Sequence, residues 1–499
     1  MEPGDGELTP NREKPYVAGG GGDGDGRDGE DRLNALPNDI LVHILLRVGT
    51  GGAARTSVLS RRWRHLWYLL PELDFGPEAD AHSIRAALAA HESPSLRRLL
   101  VRAADVGPRR IAEWLPVAAR RLAGDLFLVN SMKDSELIEQ GTFLELPCFG
   151  SATSLSLELG FLGLAVPPSG VFARLTNLSI CGVHFHGPCE LGDAVSSPQF
   201  PSLKKLTVLS AHRMNNFNIH SNSLVEIVLH GIGLQQLNVV APALELLDVN
   251  CHFSDGSVQS QPVANISAPK LEILRWSTTN LDQSSVNFGK MSYLKGLFIA
   301  YFYVYGEEDR NHDCLRLLQH VQFDAIPRLS ILLTYFPTIN GDIYLMEDMT
   351  VLPDIVFLNL IFSSSGHCIG PSLFHVLRMT TGVRRLKLEL HNHYKREFCG
   401  SDCVCDLPPN WTSEELVLNS LREVQITNLR GTENEFAVVE RLFSWAAVLK
   451  QMTINFHNSI TVSTARELCE MLLSFSRPEI SMKFYINQGS RKVLYVPED

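Results

Sequence analysis

The chain has 499 residues, of which 45% are hydrophobic and 20% charged, an ordinary balance for a globular protein of two or three domains. Its formal net charge of −11, with a pI near 5.9, argues against a general affinity for nucleic acid or for an anionic membrane, since both need a positive surface. Ten cysteines at irregular spacing, in a chain without an export signal, predict reduced thiols and no disulfide framework.

In chain order, residues 1–30 come first: a Gly- and Asp-rich leader with almost no apolar side chain to repay the entropy of ordering. Its GGGGDGDG run follows no strand and opens no helix, which sets aside a phosphate cradle. The leader lacks the apolar region of a secretory signal, and no stretch of 18 or more apolar residues occurs in the chain. The expectation is a soluble intracellular protein, nuclear or cytoplasmic, with no membrane partner.

Three short helices are predicted within residues 31–75. Pro37 suits a first helical position, and Ile40, Leu41, Ile44, Leu45 and Val48 then share one face. Gly49, Thr50, Gly51 and Gly52 are expected to break that helix, and Ala53 to Leu59 to form a second that ends in Val58 and Leu59. Ser60 is the candidate N-cap of a third, where Trp63, Leu66, Trp67 and Leu70 line one side and Arg61, Arg62, Arg64 and His65 the other. This is more apolar surface than a unit of about forty residues buries alone, so a helix-groove contact with another protein is expected.

The runs LPNDILVHIL, TSVLSRRWRHLW and LPELDFG resemble the F-box of plant F-box proteins, departing from that family's pattern only in the Gly49–Gly52 linker. The resemblance implies docking on the Skp-type adaptor of a cullin-RING ubiquitin ligase, with the cullin and the RING protein reached through it. Its candidate contact residues are Leu36, Pro37, Ile40, Leu41, Ile44, Leu45, Val58, Leu59, Trp63, Leu66 and Trp67. Some of these must form the core of the unit itself, and sequence does not apportion them.

Past residue 90 one pattern returns: an aliphatic residue, two variable, an aliphatic, one variable, an aliphatic. It occurs at Leu96, Leu99 and Val101; Leu175, Leu178 and Ile180; Leu203, Leu206 and Val208; Leu224, Ile227 and Leu229; and Leu244, Leu247 and Val249. It continues at Leu271, Leu274 and Trp276; Leu294, Leu297 and Ile299; Ile355, Leu358 and Leu360; and Val383, Leu386 and Leu388. Two aliphatics spaced by one residue point the same way on a strand, and stacking such strands buries a continuous ladder. The starts 203, 224, 244, 271 and 294 lie 20 to 27 residues apart, the period of leucine-rich repeats. An extra copy at Leu234, Leu237 and Val239 predicts an outer strand in place of a helix. A sandwich or doubly wound sheet also accommodates short aliphatic strands, but Pro just before the strand in FPSLKKL, APALELL and APKLEIL favours the repeat.

From Cys403 to Ile454 the chain resembles the FBD region that follows leucine-rich repeats in plant F-box proteins, which implies a cap on the open end of the ladder. Its own pattern predicts a strand at Leu421, Val424 and Ile426, then a helix from Glu435 to Trp445 with Phe436, Val439, Leu442 and Phe443 inward. Met452, Ile454 and Phe456 form a further strand.

Little in the chain points to catalysis. No Ser, His and acid set, Walker motif or H-E-x-x-H helix is present. His391, His393, Cys399, Cys403 and Cys405 are a weak zinc candidate, lacking any C-x-x-C pair, so no metal or other cofactor is expected. The fold class read from the sequence is α/β: an N-terminal three-helix F-box, an irregular leucine-rich-repeat solenoid and an α/β C-terminal cap. Its divisions are a leader at 1–30, the F-box at 31–75, repeats at 90–395, the FBD-like cap at 396–475 and a tail at 476–499. The function implied is a non-catalytic substrate-recognition subunit of an SCF-type ligase that captures an unknown protein. The alternative is a repeat scaffold for protein binding outside any ligase.

Overall fold

The computed structural model describes residues 33, 35–93, 95–131, 143–167, 169–186, 190–196, 198–253, 263–279, 286–307, 310–321, 325–335, 343–364, 366–380, 382–391, 411–488 and 491–495. The leader at 1–30 and four of the five zinc candidates, His393, Cys399, Cys403 and Cys405, lie outside the described residues.

The chain opens with helices α1 (Asn38–Val48), α2 (Thr50–Arg55) and α3 (Arg61–Leu66), with 3-10 turns over Thr56–Val58 and Trp67–Leu69. Strand β1 (Glu72–Phe75), helix α4 (Ala81–Ala90), β2 (Leu96–Ala104), helix α5 (Pro108–Arg121) and β3 (Leu122–Ser131) follow. A strand-rich stretch comes next: β4 (Phe143–Glu145), β5 (Ser154–Ala165), β6 (Asn177–Phe185), helix α6 (Leu191–Ser196) and β7 (Lys205–His212). Long and short strands then alternate through β8 (Asn216–His220), β9 (Glu226–Leu234), β10 (Gln236–Val240), β11 (Leu246–Phe253), β12 (Val263–Ser267), β13 (Ile273–Thr279) and β14 (Val286–Phe288). Helices return with α7 (His312–His320) after β15 (Gly296–Tyr303) and β16 (Tyr305–Gly306), and with α8 (Gly370–Arg378) after β17 (Arg328–Thr334), β18 (Ile343–Tyr344) and β19 (Phe357–Ser363). The chain closes through β20 (Arg385–His391), β21 (Glu423–Leu429), helix α9 (Glu433–Trp445), β22 (Gln451–Phe456), helix α10 (Val462–Phe475), β23 (Ser481–Gln488) and β24 (Arg491–Tyr495).

One long sheet runs through the molecule in sequence order, parallel from β1 to β23 and antiparallel only at the final β23–β24 hairpin. The aliphatic pairs of the repeat sit side by side in register. Leu178 faces Leu206, Leu206 faces Ile227, Ile227 faces Leu247, and Leu247 faces Leu274. The second member does the same, from Ile180 beside Val208 to Trp276 beside Ile299. All of these are buried, so the aliphatic rows form one continuous apolar face along the sheet. The Pro before each strand has a local reason. Pro201, Pro242 and Pro269 occupy the second position of turns closed by Leu203 N–H to Phe200 O, Leu244 N–H to Ala241 O and Leu271 N–H to Ala268 O.

Leu237 and Val239 of the extra copy are indeed on a strand, β10, flanked in parallel by β8 and β12 in a second, four-stranded sheet. The two layers meet where Trp276 of β13 packs edge-on against Phe288 of β14, ring centroids 5.1 Å apart. The ladder also includes strands that the sequence reading passed over. Leu126 and Leu128 on β3, Leu155 and Leu157 on β5, and Leu329 and Ile331 on β17 are all buried and in register with their neighbours. In β3 the spacing is stretched by a bulge at Gly124, where a Cβ would lie 1.9 Å from Arg97 O.

The 476–499 segment, expected to be a tail, instead supplies β23 and β24. Helix α9 begins two residues before the expected Glu435, because Thr432 caps it. The Thr432 hydroxyl accepts from Glu435 N–H, and the Glu435 carboxylate accepts from the backbone N–H groups of Arg430, Gly431 and Thr432.

Candidate protein-docking surface

The first three helices fold around a small core that belongs to the chain. Leu41, Leu45, Trp63, Leu66 and Leu70 are buried, with Leu36 and Trp67 half-buried against them. Ser60 caps α3 as expected, its Oγ accepting from Trp63 N–H at 3.4 Å. Arg62 ties α3 to the start of α1, donating from Nε and Nη2 to Asn38 Oδ1 at 2.9 and 2.7 Å and from Nη2 to the Leu36 carbonyl at 2.5 Å. Arg62 thus points back into the unit, although the pattern placed it on the wet side.

Three local expectations are corrected. Pro37 is the N-cap of α1, one residue before the first helical position, and its carbonyl accepts from Ile40 and Leu41 N–H. The Gly49–Gly52 stretch breaks the helix at Gly49 alone; Thr50, Gly51 and Gly52 already belong to α2, which ends at Arg55 and continues as a 3-10 turn. Gly49 supplies a φ of +79° that reverses the chain within one residue, and Gly52 lets α2 pass close to α1, since a Cβ there would sit 2.5 Å from Val48 Cγ1. Thr50 anchors α2 on the first strand by accepting from Asp74 N–H at 2.6 Å.

This packing divides the eleven candidate contact residues. Leu41, Leu45, Trp63 and Leu66 are core, while Leu36 and Trp67 sit at its rim. Pro37, Ile40, Ile44, Val58 and Leu59 face outward, Val58 being 85% and Leu59 66% exposed. Leu33, Val48 and Leu69 are exposed large apolar side chains of the same unit that lie outside that contact set, although the sequence places Val48 on the apolar face of α1. A cluster of exposed aliphatics in one small unit is the usual mark of a protein contact, since burying each side chain gains about 1.5–3 kcal/mol before the costs of association.

Residues 33–73 match the F-box domain model, and residues 111–294 match the model described as FBD-associated F-box protein At5g56370, LRR repeats. The chain carries an F-box followed by leucine-rich repeats. It is 29% identical over 294 residues to the Arabidopsis thaliana F-box/FBD/LRR-repeat protein At4g03220, covering 55% of this chain and 57% of that one. It is 26% identical over 360 residues to the F-box/FBD/LRR-repeat protein At2g04230 of the same plant, covering 64% and 76%. The F-box protein At5g03100, also from Arabidopsis, is 26% identical over 269 residues, covering 52% and 83%. Against At4g03220 the chain thus spans little more than half of the relative's length.

The other candidates are more modest. His391 ends β20, its Nε2 3.8 Å from Glu389 Oε2, and is the one zinc candidate within the described residues. No three His, Cys, Asp or Glu side chains group as a metal site among the described residues. Cys251 and Cys314 are buried free thiols pushed up to about 12 by desolvation, which leaves them unreactive. No helix among the described residues is long and apolar enough to cross a membrane.

Proposed function

We propose that the chain is the substrate-recognition subunit of an SCF-type (Skp-cullin-F-box) ubiquitin ligase. The exposed aliphatics Pro37, Ile40, Ile44, Val58 and Leu59, on a segment that matches the F-box, carry this reading. They dock on a Skp-type adaptor, with Leu36 and Trp67 at the edge of the contact, and the adaptor brings the cullin and its RING protein. The repeats at 90–395 form an irregular solenoid that captures a target protein, and the FBD-like region at 396–475 closes it.

The chain itself makes and breaks no bond in this scheme. A ubiquitin-charged enzyme held by the RING protein meets a lysine of the captured target, and rate comes from effective concentration. Co-purification with a Skp-type adaptor tests the reading. The double change Leu36→Ala with Pro37→Ala is expected to abolish it while the long sheet stays folded. Undiminished binding contradicts the assigned contact, and a wild-type chain that ignores the adaptor leaves a repeat scaffold acting outside any ligase.

A further inference from the structure

The solvent face of the long sheet carries its own rows of side chains between the buried ladders. One row runs in register from Ile273 to Gly296, Arg328, Phe357 and Arg385. Every other member has a long side chain, so Gly296 leaves a gap. A Cβ at Gly296 would have nothing within 4 Å. The gap opens a notch of about 690 Å³, floored by Gly296 and walled by Ile273, Phe298, Arg275 and Arg328. A second hollow of about 450 Å³ adjoins it across Arg328 and reaches Arg384 and Arg385.

The charge of this region opposes that of the chain. Arg275, Lys295, Arg328, Arg384 and Arg385 line the two hollows, with Glu272 the one carboxylate among the described lining residues, in a chain with 44 basic and 55 acidic residues. Arg275 pairs with Asp248 at 3.0 Å, Lys295 with Glu272 at 2.7 Å and Arg385 with Glu423 at 2.9 Å. Arg328 has no carboxylate within salt-bridge distance among the described residues; its guanidinium lies 6.0 Å from the Phe357 ring centroid. A cation with no carboxylate partner among the described residues, beside an apolar notch, suits one ligand chemistry, an apolar side chain flanked by carboxylates. The strands here are hydrogen-bonded on both sides, so a ligand is recognised through side chains and not by strand addition.

We propose that the Gly296 notch is a docking site for an acidic peptide segment of a partner protein, its aliphatic or aromatic anchor against Ile273 and Phe298 and a carboxylate on Arg328. The proposal rests on the reading of the repeats as a target-capture surface and names the chemistry of the target. The test is fluorescence anisotropy on the full chain, with a labelled heptapeptide that has a central Phe and two acidic residues on each side. Saturable binding is expected, weakened by salt because the charges are exposed. Arg328→Glu and Gly296→Leu are each expected to weaken it by at least about tenfold at an unchanged thermal midpoint. Overturning results are no saturation by about 1 mM peptide, equal binding of the same peptide with Lys for its acidic residues, or unchanged binding in both variants. Adaptor co-purification, measured in parallel, separates the two readings. Peptide failure with the adaptor bound removes only this site, and adaptor failure with the peptide bound removes only the ligase.

Discussion

Ile40 and Leu41 are neighbours on α1 with opposite surroundings: Leu41 is wholly buried in the core of the N-terminal unit, while Ile40 stands 49% exposed. The same division separates Leu45 from Ile44 one turn on. Leu41→Ala is therefore expected to destabilise the N-terminal unit by about 2–5 kcal/mol, and Ile40→Ala by less than about 0.5 kcal/mol. Urea unfolding followed by tryptophan fluorescence reads the difference, since Trp63 and Trp67 lie in this unit. Equal losses for the two variants would mean that α1 is packed differently.

The glycines around the α1–α2 junction predict effects of opposite sign. Gly49 holds a φ of +79°, so Gly49→Ala is expected to cost about 1–2 kcal/mol. Gly51 is helical with nothing within 4 Å of a Cβ, so Gly51→Ala is expected to stabilise by about 0.5–1 kcal/mol. Thermal midpoints of the two single variants settle the point, and a destabilising Gly51→Ala would contradict a helix starting at Thr50.

Acidification is expected to weaken the fold through buried histidines. His375 donates from Nε2 to the Met349 carbonyl at 3.0 Å and accepts at Nδ1 from Arg378 at 3.1 Å, so the neutral ring is satisfied on both sides. Burial foremost, and then Arg378, hold its pKa below the ordinary imidazole value, although the Met349 bond and Glu347 act the other way. Burial does the same to His91, bonded to Leu70 O. A base depressed in the folded state adds stability that is full above about pH 6.5 and is lost as the pH falls below it. Urea midpoints should drop between about pH 7.5 and pH 5.5, and His375→Gln should reduce the drop. A variant with the same pH dependence as wild type would discount His375 as the cause.

Much of the ladder is legible in the sequence because two aliphatics one residue apart leave the same trace wherever a strand is buried on one face. Leu206 with Val208 and Ile227 with Leu229 are read from spacing alone and lie in register. Leu126 and Leu128 escape because the Gly124 bulge lengthens their repeat by a residue, and Leu155 because its repeat opens on Ala152 instead of a larger aliphatic. In the F-box, Ile40 and Leu41 fall on one broad apolar stripe, and only the packing of the neighbouring helices decides which of them is covered. Gly296 looks in sequence like any turn glycine. Its meaning depends on Ile273 and Arg328, 23 and 32 residues away, arriving on either side of it.

The central claim is that the exposed aliphatics of the F-box bind a Skp-type adaptor, and one variant addresses it directly. Ile40→Asp, Val58→Asp and Leu59→Asp combined alter three outward-facing side chains and leave Leu41, Leu45, Trp63 and Leu66 in place. Titration of the full chain with purified adaptor should give an affinity reduced by at least about a hundredfold, with an unchanged thermal midpoint. Wild-type affinity in that variant, with the fold intact, would contradict the account.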